Sequence, residues 1–216
     1  MKTGVEHAEQ LRKWIAEGEH ARQDFKFLVA DARKIARTLC AFANAQGGRL
    51  LIGVKDNGSI SGIRSDEEFY MLQTASQLFT LPRVSFKTDV LLSAGKQVLC
   101  VQVSASAQRP HLFRNEADEW VPYYRLGDRD VRADAVLLRN WELEQLPRGN
   151  VRAFGQAEAR LLEFLQTHPY ITVSRCRRVT GLKIGPSIEL LATLLRWNII
   201  DILPHLEGVA YRLKPN

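Results

Sequence analysis

Apolar positions along the chain first recur at helical spacing. Ala8, Leu11, Trp14 and Ile15 fall on one face between charged residues, which predicts a short amphipathic helix over 7–16 with Gly18 just beyond it. The rhythm then shortens. Phe25, Phe27 and Val29 alternate with Asp24, Lys26 and Leu28, a strand pattern that puts Asp24 and Lys26 on one face. From Asp31 the period lengthens again. Ala32, Ile35, Ala36, Leu39, Cys40 and Ala43 form one helical stripe, with Asp31 near its start and Gly47-Gly48 just past its end.

Leu50–Val54 and Ser59–Ile63 are apolar runs flanking Lys55-Asp56-Asn57-Gly58, and Asn-Gly between two such runs predicts a hairpin that projects Asp56 and Asn57 outward. Ser65, followed by Asp66, Glu67 and Glu68, predicts the capped start of a helix that reaches about Phe79, with Pro82 after it. Val84–Leu92 and Gln97–Ser104 form a second hairpin around Ser93-Ala94-Gly95-Lys96, and Tyr123–Leu126 is a further short strand. A helix ending near Glu144 precedes Leu146-Pro147-Arg148-Gly149-Asn150, whose Pro and Gly mark a linker. The expected organisation is one domain over 1–145, a linker over 146–153 and a small domain over 154–216.

The fold class that follows is α+β, a mixed sheet with packed helices, followed by a winged helix-turn-helix. The tail supplies the second part. Helices over 156–167, 174–181 and 186–198, an extended segment at 170–173, and two β runs around Glu207-Gly208 follow the winged-helix order. A small oligomerisation module, making the chain a homodimer, fits the same order. The third helix is mostly apolar, leaving Ser187, Thr193 and Arg196 as candidates to face a base, whereas Arg175, Arg177, Arg178 and Lys183 lie on and after the second helix and suit phosphate contacts.

Charge changes this picture more than composition does. With 45% hydrophobic residues the 216-residue chain can bury a real core, and its 30 Lys and Arg against 24 Asp and Glu favour a polyanionic partner, DNA or RNA. From Arg152 to the end there are nine Lys and Arg against five acids, a net +4. Cys40, Cys100 and Cys176 are far apart inside apolar segments, without zinc-ligand spacing, and read as core residues of a reducing compartment. With no signal-like N-terminus and no apolar run of 18 residues, the expectation is a cytoplasmic protein with no membrane partner.

Five segments together resemble a known family. Gly18-Glu19 with Asp24-Phe25-Lys26, Cys40–Gly48, Leu51–Gly58, Arg109-Pro110-His111-Leu112-Phe113, and Tyr123-Tyr124-Arg125-Leu126-Gly127 resemble, in order, the Schlafen AlbA_2 family, also labelled divergent AAA-4. The resemblance covers roughly residues 15–140. It implies nucleic-acid binding, and a winged helix often follows such domains. The vertebrate Schlafen relatives are endoribonucleases that hold a divalent metal in a carboxylate cluster. Carried over by position, that implies Glu19, Asp24 and Asp56 as ligands of Mg²⁺ or Mn²⁺ and Lys26 as a catalytic cation. Two departures stand out. Lys55 occupies a position where the family often has an acid, and Asp24 one where it usually has Glu.

The family label also implies ATP, but the chain has no G-x-x-x-x-G-K-[ST] run. Ser93-Ala94-Gly95-Lys96 lacks the first Gly and the hydroxyl, and Gly47-Gly48 follows a helix, as a cap does. Arg125, among Trp120, Tyr123 and Tyr124, has the aromatic and basic interleaving that stacks on bases, although period-two alternation also suits packing. Three readings therefore enter the structure. They are a nucleic-acid-binding protein, in its finer form a transcriptional regulator, contacting phosphates through Arg125, Arg175, Arg177, Arg178, Lys183 and Arg196; a metal-dependent endoribonuclease; and a dimeric protein-interaction adaptor.

Overall fold

A computed structural model describes residues 4–63, 65–146, 155–206 and 208–215. The chain divides into two compact units, residues 1–132 and 133–216.

Two four-stranded sheets build the first unit. In one, β1 (Gln23–Lys26) runs parallel to β2 (Gly48–Ile52), and β5 (Lys96–Val103) pairs antiparallel with β2 and with β4 (Phe86–Ser93), giving the order β1-β2-β5-β4. The other runs β3 (Thr80–Leu81), β6 (Leu112–Arg114), β7 (Trp120–Leu126), β8 (Arg129–Arg132), antiparallel throughout. Helices α1 (Gly4–Glu17), α2 (Ala32–Asn44) and α3 (Glu67–Phe79) cover them. This is the expected mixed α+β architecture.

Side-chain alternation on β2 explains the layering. Leu50 and Ile52 pack with Leu99 and Val101 against α2, whereas Leu51 turns to the other face and packs with Phe25, Val98 and Cys100 against Leu11, Trp14 and Ile15 of α1. Phe113 and Val121 of the second sheet join the same cluster as α2. With a sheet contributing to its surroundings on either side, α2 buries far more than the expected stripe, including Thr38, Ala41, Phe42 and Asn44. Its start is as expected, since the Asp31 carboxylate accepts the Arg33 N–H at 2.8 Å.

The residues depart from the sequence reading in two places. The strand expected to reach Val29 ends at Lys26. The hairpin over 50–63 is a turn without a second strand. Only Val54 and Ile60 form a bridge, while Ser61 and Gly62 donate to the Gly53 carbonyl. β2 is flanked by β1 and β5, so no free edge remains for a hairpin partner. The hairpin of β4 and β5 forms, closing on Ala94 and Gly95, both at positive φ.

The second unit contains α4 (Ala135–Glu144), α5 (Gln156–Thr167), α6 (Val173–Thr180), α7 (Ile184–Arg196) and the antiparallel hairpin of β9 (Ile200–His205) and β10 (Gly208–Leu213). Leu161, Leu165, Cys176, Leu190, Leu191, Leu194, Ile200 and Tyr211 form its core. Helix α4, placed before the boundary by the sequence, belongs here. Its Val136 joins this core, Arg139 pairs with Glu189 of α7 at 2.5 Å, and the Tyr211 hydroxyl donates at 2.7 Å to Asp134, the α4 N-cap. The expected linker at 146–153 lies, apart from Leu146, outside the described residues. Among the described residues no helix is long and apolar enough to cross a membrane.

Gly47 and Gly48 are required by space as well as conformation. Gly47 sits at φ +71°, where an added Cβ would lie 2.6 Å from the Val103 carbonyl oxygen, and a Cβ on Gly48 would lie 2.5 Å from the Phe42 ring. Gly47→Ala should lower stability by roughly 2–3 kcal/mol through strain at positive φ and the backbone clash. Urea unfolding reads this directly, and an unchanged midpoint would contradict the close approach.

Candidate nucleic-acid interface

The charged residues singled out at the N-terminus converge on one buried arginine. Arg125, on β7, is 3% exposed. Its Nη2 donates to Asp24 Oδ1 at 3.0 Å and to the Gln23 carbonyl at 3.1 Å, and its Nη1 donates to Asp130 Oδ1 at 3.0 Å. The guanidinium stands 5.2 Å from the Phe42 ring of α2. Burial alone would pull it down, but the Asp24 and Asp130 carboxylates outweigh that and hold it above the ordinary arginine value. Arg125 therefore cannot serve as the nucleic-acid contact expected from the sequence. The adjacent Tyr123 is likewise committed to packing, edge-on to Phe113 at 5.5 Å.

Around this pair the expected catalytic residues assemble only in part. Asp24 Oδ2 has the Lys26 ammonium at 2.5 Å, so the shared face of β1 expected from the sequence is real. Glu19 lies beside Asp24 and accepts the Phe25 N–H at 2.8 Å. Burial raises the Glu19 carboxyl, the Phe25 N–H opposes the rise, the neighbouring Asp24 charge adds to it and Lys26 works against it. Asp56 is exposed in its turn, outside this group.

A divalent metal does not fit these donors. Asp24 already faces Arg125 and Lys26, and Asp130 faces Arg125, the Thr38 hydroxyl at 2.8 Å and Arg37 at 3.8 Å. The carboxylates of Glu19, Asp24 and Asp130 are thus matched by the cations of Lys26, Arg37 and Arg125, leaving no excess negative charge to hold a cation. Among the described residues no three His, Cys, Asp or Glu side chains are close enough to share a metal. Glu19, Asp24 and Asp56 therefore do not form the metal site expected from the sequence, because Asp24 is held by two cations and Asp56 lies apart in an exposed turn.

Other structural ties were invisible in the sequence. Asn44 is fully buried, donates to the carbonyls of His111 at 2.7 Å and Tyr123 at 2.8 Å, and accepts the His111 N–H at 2.7 Å. It pins the second sheet to the end of α2. His111 is held by the Pro82 carbonyl and the Ser106 hydroxyl, each at 2.8 Å. Burial pushes the Cys100 and Cys176 thiols up to about 11, as expected of core cysteines.

In the second unit the phosphate candidates are where the sequence suggests. Arg175, Arg177 and Arg178 are exposed on α6, and Lys183 is exposed in the turn before α7. Among the described residues none of the four has a carboxylate partner, and Arg175 rests over the Phe164 ring at 5.4 Å. Gly181 ends α6 in the left-handed conformation, so the turn takes only Gly181, Leu182 and Lys183. The candidates for base contact on α7 are corrected. Ser187 is buried with its hydroxyl on the Lys183 carbonyl, Thr193 bonds the Glu189 carbonyl, and Arg196 donates to the Leu146 carbonyl at 2.7 Å.

A second set of cations was missed. Arg33, Lys34 and Arg37 are the only charged residues of α2, and together with Arg132 they line a cleft in the first unit. The signal was present, because the polar face of the clearest helix carries one sign of charge.

Two outcomes follow from this geometry. Arg125→Leu leaves Asp24 and Asp130 buried without their cation and should cost about 3–5 kcal/mol in urea unfolding; a loss typical of a surface substitution would contradict the pairing. Glu19, raised in the folded state, contributes stability that is complete below its unfolded value and lost as pH rises through the folded one. Glu19→Gln should therefore gain stability relative to wild type as pH climbs from 4.5 past the raised value. Parallel Tm-against-pH curves for the two proteins would refute the assignment.

Comparison with known proteins identifies the same family that the sequence resembles. The family model for Schlafen, AlbA_2 matches residues 19–134. The crystal structure of the DIP2311 protein from Corynebacterium diphtheriae is similar at 20% identity and TM-score 0.44 over 70% of this chain, which spans only 30% of that protein. The solution structure of the N-terminal domain of a RecG-related protein from Nitrosomonas europaea, named for an ATP-dependent DNA helicase, aligns at 21% identity and TM-score 0.43, over 70% of this chain and 99% of that domain. No curated protein sequence matches. On the family match over more than half its length, the chain belongs to the Schlafen AlbA_2 family.

Proposed function

We propose that this protein binds nucleic acid through its phosphates, and that residues 155–215 act as a winged helix-turn-helix. The observation that carries the reading is the exposed set Arg175, Arg177, Arg178 and Lys183, four cations without carboxylate partners among the described residues. Exposed cations of this kind gain by displacing counterions from a phosphate backbone. The element order supports the fold reading. α5, α6 and α7, with a three-residue turn between the last two, are followed by the β9–β10 hairpin, and Ile171 bridges to Tyr211 of that hairpin.

Base readout has no comparable support, since Ser187 is buried and Thr193 and Arg196 are engaged with backbone carbonyls. Binding is therefore sequence-independent, and transcriptional regulation would need its site choice from elsewhere. The finer enzymatic reading is not carried forward, because the carboxylates it needs are neutralised by neighbouring cations.

Fluorescence anisotropy with a labelled DNA duplex, and with RNA of the same sequence, at several salt concentrations tests the reading. The affinity should fall linearly on a log–log plot. Arg177→Gln combined with Arg178→Gln should lower the slope by about two, roughly one per cation, equally for unrelated sequences. Absence of binding at roughly 50 mM salt would overturn it.

A further inference from the structure

The cationic cleft of the first unit shares no lining residue with α6, and two of its four cations make no ion pair among the described residues. Arg33, Lys34 and Arg37 occupy the first two turns of α2, where the helix dipole favours acids, and no acid lies in that first turn. Arg132 of β8 completes the rim. Lys34 and Arg132 are exposed and without carboxylate partners among the described residues. The single acid lining the cleft is Glu116.

The inner two cations are already positioned. Arg33 donates to the Asn115 carbonyl at 2.6 Å and lies over the Phe79 ring at 4.9 Å, with Asp118 3.6 Å away. Arg37 lies over the Tyr123 ring at 5.8 Å, and its Nε, 3.8 Å from Asp130, is buried without a hydrogen-bond acceptor among the described residues. Guanidinium groups held over aromatic rings lose little freedom when an anion arrives. At about 150 Å³ the cavity is well below the roughly 300–1,000 Å³ of sites that enclose whole small molecules. It suits a charged group projecting from a larger ligand, not a free nucleotide.

We infer that this cleft is a second phosphate-binding site, in which Arg33, Lys34, Arg37 and Arg132 take a phosphodiester of the nucleic-acid backbone. The inference rests on the nucleic-acid reading above and adds to it a contact on the family domain itself. The shared chemistry is the phosphodiester, so DNA duplex and RNA of one sequence serve as separate arms.

Lys34→Gln combined with Arg132→Gln tests it in the full chain, because both side chains are exposed and make no ion pair among the described residues, so the urea midpoint should stay at the wild-type value. In the same anisotropy titrations this variant should bind roughly tenfold more weakly at moderate salt and lower the salt slope by about two, and Lys34→Arg in place of Lys34→Gln should restore about half of the lost slope. The arm that loses more identifies DNA or RNA as the cleft's ligand. Wild-type affinity and slope in the double variant, while the Arg177→Gln, Arg178→Gln protein is weakened, would overturn the cleft and leave the α6 reading standing. Wild-type protein that binds neither probe would overturn both.

Discussion

Taking the Arg125 guanidinium out of water costs several kcal/mol unless its donors are met, and the first unit is built to meet them. Asp24 comes from the parallel edge strand β1, Asp130 from the last strand of the second sheet, and the Phe42 ring from the central helix α2. One side chain on β7 thus ties both sheets and the helix together. Only its Nε lacks an acceptor among the described residues. Removing either carboxylate would leave the buried guanidinium with one counter-charge in place of two, so these residues are constrained by the fold before any chemistry is asked of them. The same pairing explains why an acidic group near Glu19 does not amount to a metal site.

The elements whose signal is local were legible in the sequence. Asp31 caps α2, Gly47 turns the chain at positive φ just past its end, and Ala94-Gly95 closes the β4–β5 hairpin, each through chemistry confined to a few residues. Failures came where a distant partner decides the outcome. Asn57-Gly58 has a hairpin's turn chemistry, but β1 and β5 already occupy both edges of β2. Arg125 follows two tyrosines in a segment that suits either stacking on bases or packing, and the approach of Asp24 and Asp130 decides for the core. Ser187 looked free on a helix whose apolar stripe is wider than its spacing suggested. The α6 cluster was legible because exposed cations need no partner to be identified.

The family domain and the tail each present exposed cations, Lys34 and Arg132 in the one and the α6 arginines in the other, that have no carboxylate partner among the described residues. In the domain they line a cleft walled partly by Phe113 and Tyr123, while in the tail they lie open on α6. Phosphate is the common chemistry proposed for both surfaces, and among the described residues Ser187, Thr193 and Arg196 of α7 are not free to read base edges. Affinity without sequence choice is the physical character of such surfaces.

The claim that Asp24 exists to hold Arg125 is tested most directly by a double-mutant cycle in urea, with Asp24→Asn, Arg125→Leu and their combination. The account predicts strong coupling, with an interaction energy of roughly 1–3 kcal/mol, so that the second substitution costs much less once the first is made. Additive losses would contradict it.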